Sequence, residues 1–146
     1  MRALVQRVSR AAVRVSGEEI SSIQDGLLVL VGVHAGDVSK DVDWMFRKLT
    51  SLRIFADENG KMNRSVLDTG GSCLLVSQFT LCADTRRGTR PSFVHAMEPQ
   101  NAAALFNQLV AAMENSLPVK TGQFGAHMEV EGVNDGPVTL WLDSRE

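Results

Sequence analysis

Ser77 and Gln78 are polar residues inside an otherwise apolar stretch, CLLVSQFTL, which runs from Cys73 to Leu81. The stretch predicts a buried strand, and an unpaired polar group buried in a strand costs roughly 1–3 kcal/mol. One interpretation is that the strand ends here and meets solvent. The other is that the hydroxyls of Ser77 and Thr80, together with nearby backbone N–H groups, surround a reacting carbonyl.

A second group suited to binding chemistry is the basic segment TRRGTRPS, Thr85 to Ser92, which contains Arg86, Arg87 and Arg90. Guanidinium groups can bind phosphate oxygens through two parallel hydrogen bonds. The net charge of the chain is −2, so a nucleic acid would be contacted only through a local patch of this kind. The segment is therefore either a solvated loop or a phosphate-binding rim.

The third feature is the Gly136-Pro137 pair, which precedes the alternating apolar and polar residues of VTLWLD. Proline lacks an N–H group and does not fit inside a sheet ladder. The simplest interpretation is a turn before an edge strand, and the alternative is a direct role in the site.

Common catalytic motifs are absent from the chain, which has no GxSxG, HExxH, P-loop or GxGxxG pattern. The three histidines, His34, His95 and His127, lie far apart in sequence and are expected to be structural or surface residues. The sequence therefore predicts no metal site and no cofactor.

The elements that must position these residues follow from periodicity. Strands are predicted at 2–8, 11–16, 27–33, 73–81, 125–133 and 137–143. Helices are predicted at 39–52, with Asp37 or Ser39 as the N-cap, and at 99–116. This pattern favours an α+β (mixed α/β) fold, in which a mostly antiparallel or mixed sheet packs against two main helices. We expect a single domain over residues 1–146.

The compartment can be predicted from the cysteines and the apolar runs. Cys73 and Cys82 are too few for a disulfide framework and are expected to be reduced thiols in a cytoplasmic protein. The longest apolar stretch, LLVLVGV, is too short to span a bilayer.

Several motifs together resemble one family. VSQFTLCAD, GTRPSF, TGQFGAHMEV and NDGPVT occur in this order, with QRV near the start and RIFADENGKMN midway. They resemble the D-aminoacyl-tRNA deacylase family, called D-tyrosyl-tRNA deacylase in older naming, over about Met1 to Asp143. The resemblance implies a homodimer with a sheet-rich interface that cleaves the ester between a D-amino acid and the terminal adenosine of tRNA. It implies neither a DNA nor a membrane partner.

The same resemblance implies roles for individual residues. Gly136-Pro137 would be a cis peptide that reaches into the partner's pocket as a chiral gate. Arg7 and Met128 would hold this loop, and the arginines of the basic segment would contact tRNA. The residues implied for the floor of the pocket are Ser77, Gln78, Phe79 and Thr80.

The chemistry of such a site needs no catalytic triad. An aminoacyl ester is already reactive, so backbone N–H groups of Phe79 and Thr80 could stabilise the oxyanion while the ribose 2′-hydroxyl positions water. In the alternative mechanism Thr80 is a covalent nucleophile, but this requires an adjacent base that the sequence does not reveal. A gate made of main-chain carbonyls would clash with the Cβ of an L-residue. Glycyl esters, which have no Cβ, would pass it.

Two other functions remain open at this point. The chain could be a non-catalytic dimeric RNA-binding module that uses the basic segment, or a hydrolase of free amino-acid esters.

Overall fold

The computed structural model describes all 146 residues. It contains eight strands and three helices. The strands are β1 (Arg2–Val15), β2 (Glu18–Ile23), β3 (Gly26–Gly32), β4 (Phe55–Ala56), β5 (Met62–Arg64), β6 (Ser72–Ser77), β7 (Val119–Thr121) and β8 (Glu129–Asp143). The helices are α1 (Ser39–Ser51), α2 (Val66–Thr69) and α3 (Pro99–Glu114).

Six of the strands form one mixed sheet in the order β2-β1-β3-β6-β7, with β8 also paired to β1. β1 is antiparallel to β2, β3 and β8, whereas β3, β6 and β7 are parallel. The hydroxyl of Ser21 in β2 donates to the carbonyl of Thr121 in β7 at 2.7 Å, so the sheet curls towards a barrel-like shape. The predicted α+β class with two main helices is confirmed, since α2 has only four residues.

The main core lies between the sheet and the helices α1 and α3. Met45, Leu49, Leu109 and Met113 project from these helices and are fully buried. A second, smaller cluster on the other face includes Leu28 and residues of β1 and β6. β3 is therefore buried on both faces, and its nearly continuous apolar run is typical of such a strand.

Two strand predictions at the N-terminus were wrong, because 2–8 and 11–16 are parts of one strand, β1. The polar Ser9-Arg10 pair lies between the two predicted segments. In the structure Arg10 forms ion pairs with Glu131 at 3.3 Å and Glu19 at 3.2 Å on the neighbouring strands. Cross-strand pairing thus accommodates the polar residues without a turn. The short strands β2, β4, β5 and β7 were not predicted.

The two strands predicted at 125–133 and 137–143 are likewise one element, β8. Its pairing with β1 shifts from Val8–Asn134 to Gln6–Thr139. One residue of β1 therefore faces four residues of β8, and these four bulge out as a loop. We call these four residues together with Asn134, that is residues 134–138, the Gly-Pro loop. Its proline lies outside the ladder, which removes the conflict with its missing N–H group.

The N-cap of α1 is Val38, so the prediction of Asp37 or Ser39 was wrong. The carboxylate of Asp37 instead accepts from the His34 N–H group at 2.7 Å and pairs with the α-ammonium of Met1 at 2.8 Å. The carboxylate of Asp41 accepts from the Val38 N–H group at 2.9 Å.

Cys73 and Cys82 are buried free thiols. None of the helices has the length and apolar character needed to cross a membrane.

Candidate active site

A cavity of about 610 Å³ lies where β6 ends, between the sheet and the first turns of α3. Most of its lining is apolar. Ser77, Gln78, Phe79 and Met128, four of the residues singled out in the sequence, line it. Thr80 is not part of the lining but is bonded to it, because the side-chain amide of Gln78 donates to the Thr80 hydroxyl.

The predicted strand 73–81 is shorter in the structure, since β6 ends at Ser77 and a 3₁₀ helix follows at Phe79–Cys82. The N–H group of Gln78 donates to the Val31 carbonyl at 2.7 Å, which extends the parallel pairing by one step. Gly32 permits this approach, because a Cβ there would lie 2.9 Å from the Gln78 carbonyl oxygen.

The 3₁₀ helix presents two free donors beside the cavity. The backbone N–H groups of Phe79 and Thr80 open the helix and have no acceptor within the protein. The Phe79 ring is 57% exposed and meets the Phe93 ring edge-on, with 5.0 Å between centroids. The end of β6 therefore combines a polar backbone surface with an aromatic rim.

No general base accompanies the Thr80 hydroxyl. Its one partner in the protein is the Gln78 amide, which cannot remove a proton. Glu98 and His127 are the only titratable side chains that line the cavity. The Glu98 carboxylate caps α3 by accepting from the N–H groups of Gln100 and Asn101 at 3.1 and 3.3 Å. No cluster of three or more metal-ligating side chains occurs in the chain.

Met128 shapes one wall of the cavity. Its sulfur accepts from the Gln123 N–H group at 3.4 Å. A Cβ at Gly122 would lie 2.6 Å from that sulfur, so a larger residue there would displace the Met128 side chain from this contact. Within the chain Met128 thus supports the 122–128 segment of the cavity.

The Gly-Pro loop contains a cis peptide between Gly136 and Pro137, both of which are exposed. Arg7 holds the loop, because its Nε donates to the Asp135 carbonyl at 2.9 Å and its Nη1 donates to the Ile54 carbonyl at 2.6 Å. Asn134 closes the loop by accepting from the Val138 N–H group at 2.9 Å. Asn134 was not predicted, although asparagine beside glycine and proline is a recognised turn signal.

The loop and the cavity lie far apart in one chain. Ser77 pairs with Val31, which pairs with Ala3, whereas the loop lies beside Arg7. Three strand spacings of ~4.8 Å and four residues of ~3.3 Å correspond to roughly 20 Å along the sheet. Neither Gly136 nor Pro137 lines the cavity.

The basic segment forms a hairpin-like loop, closed by two backbone hydrogen bonds between Asp84 and Ser92 at 2.8 and 2.9 Å. We call residues 85–91 the arginine loop. Hydrogen bonds from Arg86 hold the pKa of the Asp84 carboxyl well below its usual range. Arg87 and Arg90 are exposed and form no ion pair within the chain. Asp84 was not predicted, and it lies one residue before the basic segment.

Comparison with known proteins gives consistent results. Residues 4–143 match the family described as D-Tyr-tRNA(Tyr) deacylase. Proteins named D-aminoacyl-tRNA deacylase are similar, at 56% identity in Thermomicrobium roseum (100% of this chain, 96% of the relative) and 53% in Kosmotoga olearia (100% and 99%).

Two solved structures are also similar to the chain. One, named "c-Myc DNA Unwinding Element Binding Protein", has a TM-score of 0.94 and 42% identity over 98% of both chains. The other, described as a probable eukaryotic D-amino acid tRNA deacylase, has a TM-score of 0.78 and covers 97% of both chains. At 17% identity, the second likeness shows the shared fold alone.

Proposed function

The chain belongs to the D-Tyr-tRNA(Tyr) deacylase family and is therefore a D-aminoacyl-tRNA deacylase, and we propose that it acts through an oxyanion site of backbone N–H groups and a chiral gate from a second subunit. The reaction cleaves the ester between the D-amino acid and the terminal ribose of tRNA. Its products are the free D-amino acid and tRNA.

The observation that carries this mechanism is the pair of free N–H groups at Phe79 and Thr80. Attack of water on the ester carbonyl places negative charge on its oxygen, and donors fixed in advance stabilise that charge. The ribose 2′-hydroxyl positions the water. A covalent role for Thr80 is disfavoured, because its only partner is an amide and a hydroxyl nucleophile needs a base.

A homodimer completes the site in this proposal. The Gly-Pro loop is exposed and roughly 20 Å from the cavity of its own chain along the sheet, which supports a second copy as the source of the loop at each cavity. Val133 and Trp141 flank the loop on β8 and are 56% and 45% exposed. Phe79 and Phe93 at the cavity rim are exposed as well. Association of two copies would cover both apolar surfaces.

The Gly-Pro loop then acts as the chiral gate. Its main-chain carbonyls face the α-carbon of the substrate, where an L-residue would direct its Cβ into them and a D-residue would not. The side chain points away from the gate, so D-substrates of different size are accepted. Glycyl-tRNA also passes, because glycine has no Cβ.

The arginine loop contributes affinity for tRNA. Arg87 and Arg90 are free of protein partners, and guanidinium groups suit phosphate oxygens. Arg86 is less available, because its side chain pairs with Asp84 at 2.6 Å.

Incubation with matched D- and L-tyrosyl-tRNA, following loss of the ester, tests this function. We expect hydrolysis of the D-ester and sparing of the L-ester, while equal hydrolysis of both would refute the gate. The second candidate is a non-catalytic nucleic-acid-binding module, which the likeness to a protein named for binding a DNA unwinding element favours. Binding of tRNA without loss of either ester would support that candidate. A hydrolase of free amino-acid esters would cleave D-tyrosine methyl ester as efficiently as the tRNA ester.

A further inference from the structure

A second cavity, of about 500 Å³, lies beside the first and has a different chemical character. Only two of its nine lining residues are hydrophobic. The charged and imidazole side chains that line it are Arg2, Arg86, Arg145, His34, His95 and Asp84.

The two cavities share a wall. Val33 and Ala96 line the first cavity, and their chain neighbours His34 and His95 line the second. The 3₁₀ helix also belongs to this wall, with Phe79 at one end facing the first cavity and Cys82 at the other end lining the second. A nucleic acid whose terminal nucleoside occupies the first cavity would therefore meet the second cavity across this wall.

Two guanidinium groups at the second cavity are fixed by one carboxylate. Arg2 Nε donates to Asp143 Oδ2 at 2.9 Å, and Arg145 donates to both oxygens of Asp143 at 3.2 Å. Arg2 also donates to the Leu81 carbonyl at 2.9 Å, which ties it to the 3₁₀ helix. Each guanidinium has five N–H donors, so both keep several for an external acceptor. Their planes are fixed in advance, as bidentate recognition of an oxyanion requires.

The arginines at this cavity outnumber the carboxylates that pair with them. Three arginines (Arg2, Arg86, Arg145) outnumber two carboxylates (Asp84, Asp143), which leaves one positive charge before either histidine is counted. The nearby Asp37 is neutralised by the α-ammonium of Met1 at 2.8 Å. Burial raises the pKa of the Cys82 thiol, so it adds no negative charge at neutral pH. The rings of His34 and His95 stack with 5.5 Å between centroids and form one side of the cavity.

We propose that this second cavity binds the phosphate groups of the tRNA acceptor strand that immediately precede the terminal adenosine. The proposal rests on the proposed function and adds Arg2 and Arg145, which lie outside the arginine loop, to the groups that contact tRNA. A phosphodiester supplies acceptors for the N–H groups of Arg2 and Arg145 that do not bond to Asp143 or Leu81. Binding there would set the position of the terminal ribose against the N–H groups of Phe79 and Thr80.

The test compares two substrates that carry the same ester. D-tyrosyl-tRNA has the phosphates and 3′-O-D-tyrosyl-adenosine has none. For Arg145→Ala we expect the ratio of kcat/KM between the two substrates to fall about tenfold, the scale of one lost charged hydrogen-bonding group. His95→Ala should also lower the ratio of kcat/KM between the two substrates. Arg145→Lys should restore part of it, because it keeps the charge but not the fork.

Arg14→Ala is the matched control. The Arg14 side chain is 40% exposed and paired with Glu131 at 2.7 Å, while that of Arg145 is 38% exposed and paired with Asp143. Arg14 lies outside the second cavity, so its replacement should leave the substrate ratio unchanged. An equal fall in the control, or an unchanged ratio for Arg145→Ala, would overturn the proposal.

Binding of uncharged tRNA gives a readout that does not depend on catalysis. Arg145→Ala should reduce the slope of log affinity against log salt by about 0.7, the value for one phosphate of a single strand. If the wild type cleaves neither ester but Arg145→Ala still reduces this slope, the proposed function fails and the phosphate site stands.

Binding of inorganic phosphate is the second measurement that does not depend on catalysis. If phosphate binds in an Arg145-dependent way while both ratio and slope stay unchanged, the cavity takes free phosphate and the tRNA contact is refuted.

Discussion

Arg7→Ala should weaken catalysis by releasing the Gly-Pro loop. The side chain of Arg7 is 15% exposed and donates to the Asp135 carbonyl at 2.9 Å, while its other bond, to Ile54 at 2.6 Å, fixes the guanidinium itself. A hydrogen bond to a charged group contributes about 1.5–3 kcal/mol. The contact with the Asp135 carboxylate adds little, because that group is 60% exposed. At 1.36 kcal/mol per factor of ten, we expect kcat/KM for D-tyrosyl-tRNA to fall roughly 10- to 150-fold.

The measurement is steady-state deacylation, with circular dichroism and light scattering to verify folding and the association state. Arg10→Ala is the control on the same strand, because Arg10 is 39% exposed, pairs with Glu19 and Glu131, and donates no hydrogen bond to the loop. It should stay close to wild type. Arg7→Lys should be intermediate, since an ammonium group can replace one donor but not the fork. A folded Arg7→Ala variant with activity within about twofold of wild type would show that Arg7 does not position the loop.

Four further outcomes are expected. Thr80→Ala should keep substantial deacylation in single-turnover kinetics, whereas a loss of roughly 10⁴-fold or more would indicate a covalent nucleophile. Gly136→Ala should reduce D-activity without creating L-activity, because φ is +142° there and a Cβ would lie 2.9 Å from the Val138 nitrogen; unchanged D-kinetics would contradict this. Alanine at all three arginines of the arginine loop should flatten the salt dependence of tRNA binding by up to about one log–log unit per lost phosphate contact, and an unchanged slope would make it a solvated surface. Burial alone would raise the pKa of Asp143, but hydrogen bonds from Arg145 and Arg2 outweigh it and lower the pKa to about 2. Stability from this group is therefore complete above about pH 4 and lost towards pH 2. Acid titration of Asp143→Asn should lack that component, and an acid profile identical to wild type would refute it.

Local patterns in the sequence were sufficient to predict the strands and helices that bury one or two of their faces. The apolar run of β3 is typical of a strand buried on both sides, and the spacing of Met45 and Leu49 is typical of the inner face of a helix. The polar interruption at Ser77 and Gln78 was also informative, because the strand does end there and the backbone turns into the cavity. Such features depend on neighbours a few residues away, which a sequence displays directly.

Long-range pairing decided the rest. The joining of two predicted strands into β1 depends on backbone pairing of Arg10 and Ala11 with β8, which the local pattern cannot show. The hold of Arg7 on Asp135 spans 128 residues. The roughly 20 Å between the Gly-Pro loop and its own cavity follows from the register of β1 with β3 and β8.

The second cavity shows most clearly that local sequence patterns do not predict long-range pairing. Arg2 and Arg145 stand at opposite ends of the sequence, and no spacing rule connects them. They converge because β1 and β8 pair antiparallel on both sides of the Gly-Pro loop, which places Arg2 opposite Asp143. The residue types were available in the sequence, but their arrangement around one carboxylate arises only when the two terminal strands meet.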